Sequence, residues 1–509
     1  MSLESDNQDE PEFNSLHLDA IADADPYPYW YDDADEPDSN PTLVRTESCD
    51  LCVIGGGYNG LWTAIIAKER DPSRDVVLIE AHEVGSAASG RNGGFMESSL
   101  THGVANGQER FPNELPLLEE LGLNNLNEIE AAIKRYNIDC DYERTGVIDI
   151  ASTLHAPSYL DELRDDYQQL RALGQKVEWL DQVAMQAQVN SPTYIGGLFR
   201  KDRAALVDPA RLAWGLKSAA MSLGVRIYED TKATSIEKDG VGVLVSTPLG
   251  GVRAGKVAMA IGASKPLLKR VGHFIAPVYD YCLVTEPLSN AQLAEIGWKG
   301  RQGLGDISNQ FHYYRLTADN RILWGGYDVI YYWRGKMNVE LESRPETWAK
   351  LSKHFFDTFP QLEGLKFTHT WGGVIDTCSR FCVFWGRGMQ GARCVFGWLH
   401  RPRCCFDTLR RRSDARHARW EAFNGDADRF REEQAVAVPT RAVPIHRHSG
   451  NALLAQSRGQ DRQAQSVAAQ PRSLRPRLRQ LTLNQTAVMS RRDLGVIRCA
   501  HDANEWSAG

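Results

Sequence analysis

Gly55, Gly57 and Gly60 stand at the spacing G-x-G-x-x-G, and Glu80 follows twenty positions after the last of them. Residues of these types at this spacing suit a chain that wraps a dinucleotide. Gly55 permits a tight turn, Gly57 lets backbone approach a pyrophosphate, and Gly60 lets a helix pack close on a strand. Tyr58 and Asn59 lie inside the motif, at the start of that helix, where N–H groups and a partial positive charge face the phosphates. Glu80, with Ala81 beside it, is placed to accept hydrogen bonds from ribose hydroxyls. Three elements must position these residues. Leu51–Ile54 is a wholly apolar strand pattern, Leu61 to Arg70 is helical, and Val76–Ile79 is a second apolar strand ending at Glu80. A glycine-rich loop without a ligand is the plain alternative, but strand, helix and acid all stand where binding needs them.

FAD and NAD share this fingerprint, so the next segment has to choose between them. Ser86 to Phe95 is a second small-residue loop containing Ser89, Arg91, Asn92, Gly93 and Gly94. Such a loop suits backbone laid against a bulky planar ring system, with Arg91 offsetting pyrophosphate charge; an ordinary flexible loop is the other reading. On these residues the chain resembles the FAD-dependent oxidoreductases of the D-amino acid oxidase family, which includes glycine and sarcosine oxidases. The resemblance is strongest to γ-glutamylputrescine oxidoreductase-like members, which pair VIGGGYNGLWTA with SGRNGGF as Val53–Ala64 and Ser89–Phe95 do here. It extends from about residue 28 to 390. Lys256–Ala263 resembles the family's second flavin-contacting strand, ending in a small-residue turn at Gly262. Thr231–Ile236 resembles the strand before it, whose backbone at Ala233 lies near the adenine. Phe311–Asp328 and Trp371–Thr377 resemble strands of the substrate domain and the return to the flavin domain.

The fold so implied is α/β (α+β overall): a Rossmann-like FAD-binding domain built from discontinuous segments, with an interleaved antiparallel-sheet substrate domain. The expected divisions are a largely disordered acidic segment at 1–45, FAD-domain parts at 46–110 and 201–270, and a helical and substrate segment at 111–200. A substrate domain at 271–370, a return to the FAD domain at 371–394 and an Arg-rich tail at 395–509 complete the chain. Helices are expected over Leu115–Tyr136 and Ala156–Leu173, and from Pro209 with Asp208 as N-cap. Val225–Tyr228, Val241–Ser246, Val257–Ile261, Tyr279–Thr285 and Arg321–Gly325 are strand-like.

With 509 residues the chain has room for two or more domains. No apolar run has the length of a membrane span, the first residues lack a basic-then-apolar leader pattern, and the ten cysteines are scattered. A cytoplasmic location is expected. Met1 to Asn40 carries 13 Asp and Glu and no Lys or Arg, and Trp30-Tyr31 is the part of it suited to dock on the body. Cys49-x-x-Cys52 is discounted as a metal or redox pair, because Cys52 lies inside the first strand and no second pair accompanies it.

The composition breaks near Gly391. Residues 391–509 hold 21 Arg, no Lys and no Tyr, whereas residues 1–390 hold 15 Lys and all 17 Tyr. Charge flips from 37 basic against 55 acidic residues before the break to 21 against 11 after it. A nucleic-acid arm is disfavoured for want of a basic helix, interleaved aromatics or a known module, so no nucleic-acid partner is expected. A disordered extension and a reading-frame shift remain. Read from each codon's second base, Ala392–Leu409 is compatible with R-V-A-Y-L-G-G-F-T-G-R-G-V-A-S-T-R. This resembles the family's C-terminal flavin loop, G-F/Y-T-G-x-G-V, and the shift is the favoured reading.

The activity implied by the resemblance is oxidation of a C–N bond in an amine or amino acid, with FAD as hydride acceptor and oxygen or a quinone as electron acceptor. A γ-glutamylputrescine-like amine is the favoured substrate, a D-amino acid the runner-up, and a non-catalytic remnant the third possibility. No Ser-His-Asp or paired-carboxylate machinery is expected. Tyr314 and Arg315 are weak substrate-site candidates, with Tyr313 weighed evenly against Tyr314 because adjacent strand residues face opposite ways. His102 is a weaker candidate for a base. No catalytic residue and no metal ligand is assigned. Resequencing the gene around codons 385–400 is expected to show one base gained or lost relative to a frame encoding Gly-Phe-Thr-Gly; an intact frame in independent clones would refute the shift.

Overall fold

A computed structural model describes residues 13–33, 35–378, 380–388, 394–398 and 486–488. The strand Thr46–Ile54 sits at the centre of the first sheet because its C-terminal half is apolar on both faces. It pairs in parallel with Val76–Ile79 on one side and Gly251–Met259 on the other. Arg226–Tyr228 and Cys394–Trp398 extend the parallel order outward, and Phe384–Gly388 closes the edge antiparallel. Parallel strands of this kind are buried on both faces and read as continuous apolar runs. One face carries Leu61, Trp62 and Ile65 of the helix Tyr58–Arg70, packed with Leu126 and Ile129 of Leu115–Arg135 and Leu212 of Pro209–Ser222. The other packs Cys52, Ile54, Val77 and Ile79 under Val243 and Val245 of a hairpin, Ser235–Asp239 with Gly242–Ser246. The Rossmann-like expectation holds.

The second sheet has ten strands and is antiparallel except where Gly303–Asp306 runs parallel to Val147–Ser152. Its middle is Ala276–Thr285, Ile322–Gly326 and His312–Leu316, with Phe367–Thr377 laid along Ala276–Thr285. The helix Pro345–Thr358 covers one face through Phe355, Phe356 and Leu351, against Trp324, Tyr314 and Phe359.

Several expectations need correction. Residues 13–33 and 35–45 are laid on the body rather than disordered: Ser15–Asp19 is helical, and Trp30, Tyr31 and Leu43 are buried. Acidic composition argued for disorder, but a few well-spaced apolar side chains give this segment area to bury. Thr231–Ile236 is not one strand. Its first four residues form an irregular link tied by Thr231 N–H to the Glu80 carbonyl (2.7 Å), and the strand begins at Ser235. The strand Cys394–Trp398 crosses the expected boundary at 394/395, its run Cys-Val-Phe-Gly-Trp being apolar enough to pair. Thr486–Val488, within the Arg-rich tail, pairs with Ile330–Tyr332. The rest of that tail lies outside the described residues.

Trp324 anchors the second core, 4.4 Å from the Tyr314 ring and 5.6 Å from Phe355 by centroids. Its indole N–H is buried with no hydrogen-bond partner among the described residues. Trp324→Ala should therefore lower stability by about 3–5 kcal/mol. Trp324→Phe, which removes the unpaired donor, should cost well under half of that, both read from thermal or urea unfolding.

Candidate flavin and substrate site

The chain leaves the first strand through Gly55, whose φ of +108° suits glycine. A Cβ there would lie 2.3 Å from the Ala260 carbonyl oxygen, and one on Gly60 would lie 1.8 Å from the Gly55 carbonyl oxygen. Backbone crowds backbone at both positions. At Gly57 a Cβ would meet Ser89 Oγ at 2.8 Å, which in turn accepts the Tyr58 N–H at 3.0 Å. No N-cap side chain covers the Tyr58–Arg70 helix, so its positive end, with Asn59 in the first turn, suits a pyrophosphate. Gly262, at φ +52°, faces open space on the opposite wall. These bare positions fit a dinucleotide.

Glu80 accepts N–H groups from Gly56 (2.6 Å) and His82 (3.1 Å). Burial raises its pKa against the pull of those donors. Ala81 follows it in the chain, and the Thr231 link brings the Ala233 segment alongside. Glu229, which the sequence reading missed, is fully buried behind this end. It takes Val84 N–H (2.6 Å), Asn40 N–H (2.5 Å) and Lys217 Nζ (2.7 Å), tying the N-terminal segment to the ribose side.

The second loop is held through its carbonyls. Trp371 Nε1–H donates to Arg91 O and Trp30 Nε1–H to Asn92 O, each at 2.9 Å, while Arg315 donates to Gly94 O (3.3 Å) and Val207 O (2.6 Å). Within the loop, Asn92 Nδ2 donates to Ser89 O (2.7 Å) and Oδ1 accepts Gly94 N–H (2.9 Å). Gly94 has φ +73°, and a Cβ there would strike Val207 O at 2.2 Å. Arg91 differs from expectation: its guanidinium pairs with Glu342, which competes with any pyrophosphate.

A cavity of about 420 Å³ opens against this loop, lined by Arg91, Asn92 and Gly93 of the loop and by Asp280, Tyr313 and Trp371 of the second sheet. Strand alternation decides between the two tyrosines. Tyr313 faces the cavity, its ring where a Gly93 Cβ would come within 2.5 Å, and its hydroxyl donates to Asp280 Oδ2 at 3.0 Å. Tyr314 points the other way into the core, 2.7 Å from Tyr194 Oη, and burial pushes its pKa well up. Tyr314, expected at the substrate site, thus lies in the core, and Tyr313 is the tyrosine of the pair that lines the cavity. Arg315 is on the cavity side of the strand but behind the loop; burial pushes its pKa down to about 10, and it also donates to Leu316 O. It positions the loop and is not a substrate ligand. His102 lines the same cavity at φ 58°, stacked on Phe381 with centroids 5.4 Å apart.

Gly60→Ala should yield protein without bound flavin, because its Cβ can be accommodated only by lifting the helix off the strand. Flavin absorbance of the purified variant checks this.

The profile described as DAO, FAD dependent oxidoreductase, matches residues 50–398. The γ-glutamylputrescine oxidoreductase of Escherichia coli (strain K12) is 34% identical over 351 residues, covering 67% of this chain and 78% of that protein. A probable oxidoreductase, OrdL, of Haemophilus influenzae is 28% identical over 366 residues, 70% of this chain and 80% of its own. The crystal structure of glycine oxidase from Geobacillus kaustophilus superposes with a TM-score of 0.59 at 20% identity, over 71% of this chain and 92% of that one. With glycine loop, acid and second loop assembled as a dinucleotide requires, the chain belongs to the DAO family of FAD-dependent oxidoreductases.

Proposed function

We propose that this protein oxidises the C–N bond of an amine, with a γ-glutamylputrescine-like amine as the favoured substrate. FAD, when bound, supplies the acceptor for a hydride from the carbon next to nitrogen, leaving an imine that hydrolyses. The chain's own residues orient the substrate and set the charge around it. The observation that carries the amine reading is the charge beside Gly93, where the Asp280 carboxylate lies against the Tyr313 hydroxyl. Arg315, the strand's own guanidinium, is spent on the carbonyls of Gly94, Val207 and Leu316. Arg91 faces Glu342. A wall that presents a carboxylate suits a cationic amine better than an amino acid's carboxylate. The 34% identity to the E. coli enzyme of that name points the same way. A D-amino acid substrate is the second reading.

We also propose that the chain is out of frame from about residue 395 onward; the end of the family match at residue 398, close to that point, supports this. A cytoplasmic location is inferred from two features. Among the described residues no helix is long and apolar enough to cross a membrane, and Cys49, Cys52, Cys140, Cys282, Cys378 and Cys382 form no disulfide.

The test is anaerobic mixing of this chain and its frame-restored form with γ-glutamylated polyamines, D-amino acids, glycine and sarcosine. Bleaching of flavin absorbance by the γ-glutamylated amine is expected, and Asp280→Asn should raise its KM by about tenfold or more, the loss of one charge-assisted contact. Reduction by D-amino acids alone would overturn the amine reading. Peroxide release on admitting air separates oxygen from a quinone as acceptor.

A further inference from the structure

We propose that His155, Asp306 and His312 form a divalent-cation site, suited above all to Zn²⁺, on the helix-covered face of the second sheet. The proposal does not depend on the substrate reading. The three residues come from separate segments. His155 lies in the link between Val147–Ser152 and the helix Ser158–Ala172, Asp306 ends the strand Gly303–Asp306, and His312 begins the strand His312–Leu316. One ligand atom from each lies within 4.8 Å of the others. Asp306 Oδ2 is 2.7 Å from His312 Nδ1 and 3.2 Å from His155 Nε2.

Two imidazole nitrogens and one carboxylate oxygen are donors that zinc takes at about 2.0–2.2 Å, which sets neighbouring ligand atoms a little over 3 Å apart. The Asp306–His155 separation of 3.2 Å already meets that, and the Asp306–His312 separation of 2.7 Å needs to widen slightly. The ligands are also held in place from behind. Asp306 Oδ1 accepts the His312 backbone N–H at 2.9 Å, which fixes the carboxylate. His312 Nε2 lies 3.0 Å from His354 Nδ1 on the helix Pro345–Thr358. With Nδ1 on the metal, Nε2–H donates to His354, the outer-shell contact that orients a ligating histidine. The side chains of His155, Asp306 and His312 keep only 13%, 7% and 4% exposure, so the three donors are held largely out of bulk solvent. Asp306 and His312 bracket a short turn in which Ile307 and Phe311 line the substrate cavity. A cation bound across the base of that turn would stiffen this part of the cavity wall.

The experiment uses the full chain with its flavin, stripped by chelator and titrated with ZnCl₂ by calorimetry, with zinc counted by elemental mass spectrometry. One zinc per chain is expected at this site, with a rise in melting temperature. His155→Gln should abolish that equivalent, and His354→Ala should weaken it about 10- to 100-fold. His273→Gln, an exposed histidine elsewhere, should leave it unchanged. Zinc-edge X-ray absorption on the unaltered protein gives a reading that needs no variant: imidazole and oxygen ligands support the site, and sulfur ligands overturn it. No saturable zinc binding would reduce the cluster to a hydrogen-bonded chain and overturn the proposal. Undiminished binding in His155→Gln would do the same by placing the metal elsewhere.

Discussion

One buried guanidinium joins the two halves of this molecule. Arg315 belongs to the second sheet, yet it bonds the carbonyls of Gly94, in the flavin loop, and Val207, in the approach to the helix Pro209–Ser222. Among the described residues its charge has no carboxylate in hydrogen-bonding contact. Glu143 and Asp208 favour it only from a distance, and burial lowers its pKa. A cation in such a setting must keep its hydrogen bonds, because an unmet donor there costs far more than a typical hydrogen bond contributes. The loop geometry that receives the cofactor is thereby tied to the sheet that shapes the substrate cavity.

The indoles of Trp30 and Trp371 act on the same loop from two further directions. Carbonyls that would otherwise face solvent or an apolar ring are each given a donor, and Trp30 also lies 5.6 Å from the Arg315 guanidinium. Such support places the bare backbone of Gly93 under the Tyr313 ring with little freedom to drift. A short loop of small residues has no packing of its own to hold it. Its rigidity is borrowed from large side chains on three other segments.

This pattern explains what was legible in the amino-acid sequence. Gly55, Gly57, Gly60 and Glu80 were readable because their constraint is local: each answers to backbone or ligand within one strand–turn–helix–strand unit. The helix Leu115–Arg135 and the N-cap Asp208, which accepts the Arg211 N–H at 3.0 Å, were readable for the same reason. Tyr313 and Tyr314 were not separable, since two adjacent tyrosines carry no phase to say which faces the cavity. The true work of Arg315 depends on residues 94 and 207, and that of Trp30 on residue 92, so neither could be found from nearby residues. Glu229 and Lys217 were hidden likewise, as their buried pair is completed by Asn40 and the Asp38 carbonyl from a distant segment.

That N-terminal segment carries a kinetic consequence. It leaves the ribosome well before its partners: Tyr29 donates to Asp319, Ser352 to the His17 carbonyl, and Asp25 N–H to Thr368 O. Contacts so distant along the chain close slowly and cannot close before the partner exists. During synthesis His17, Asp25 and Tyr29 must therefore wait for these contacts while the glycine loop is already made. Residues translated long before their partners thus take their place late, and their docking marks a chain whose second sheet has been fully made.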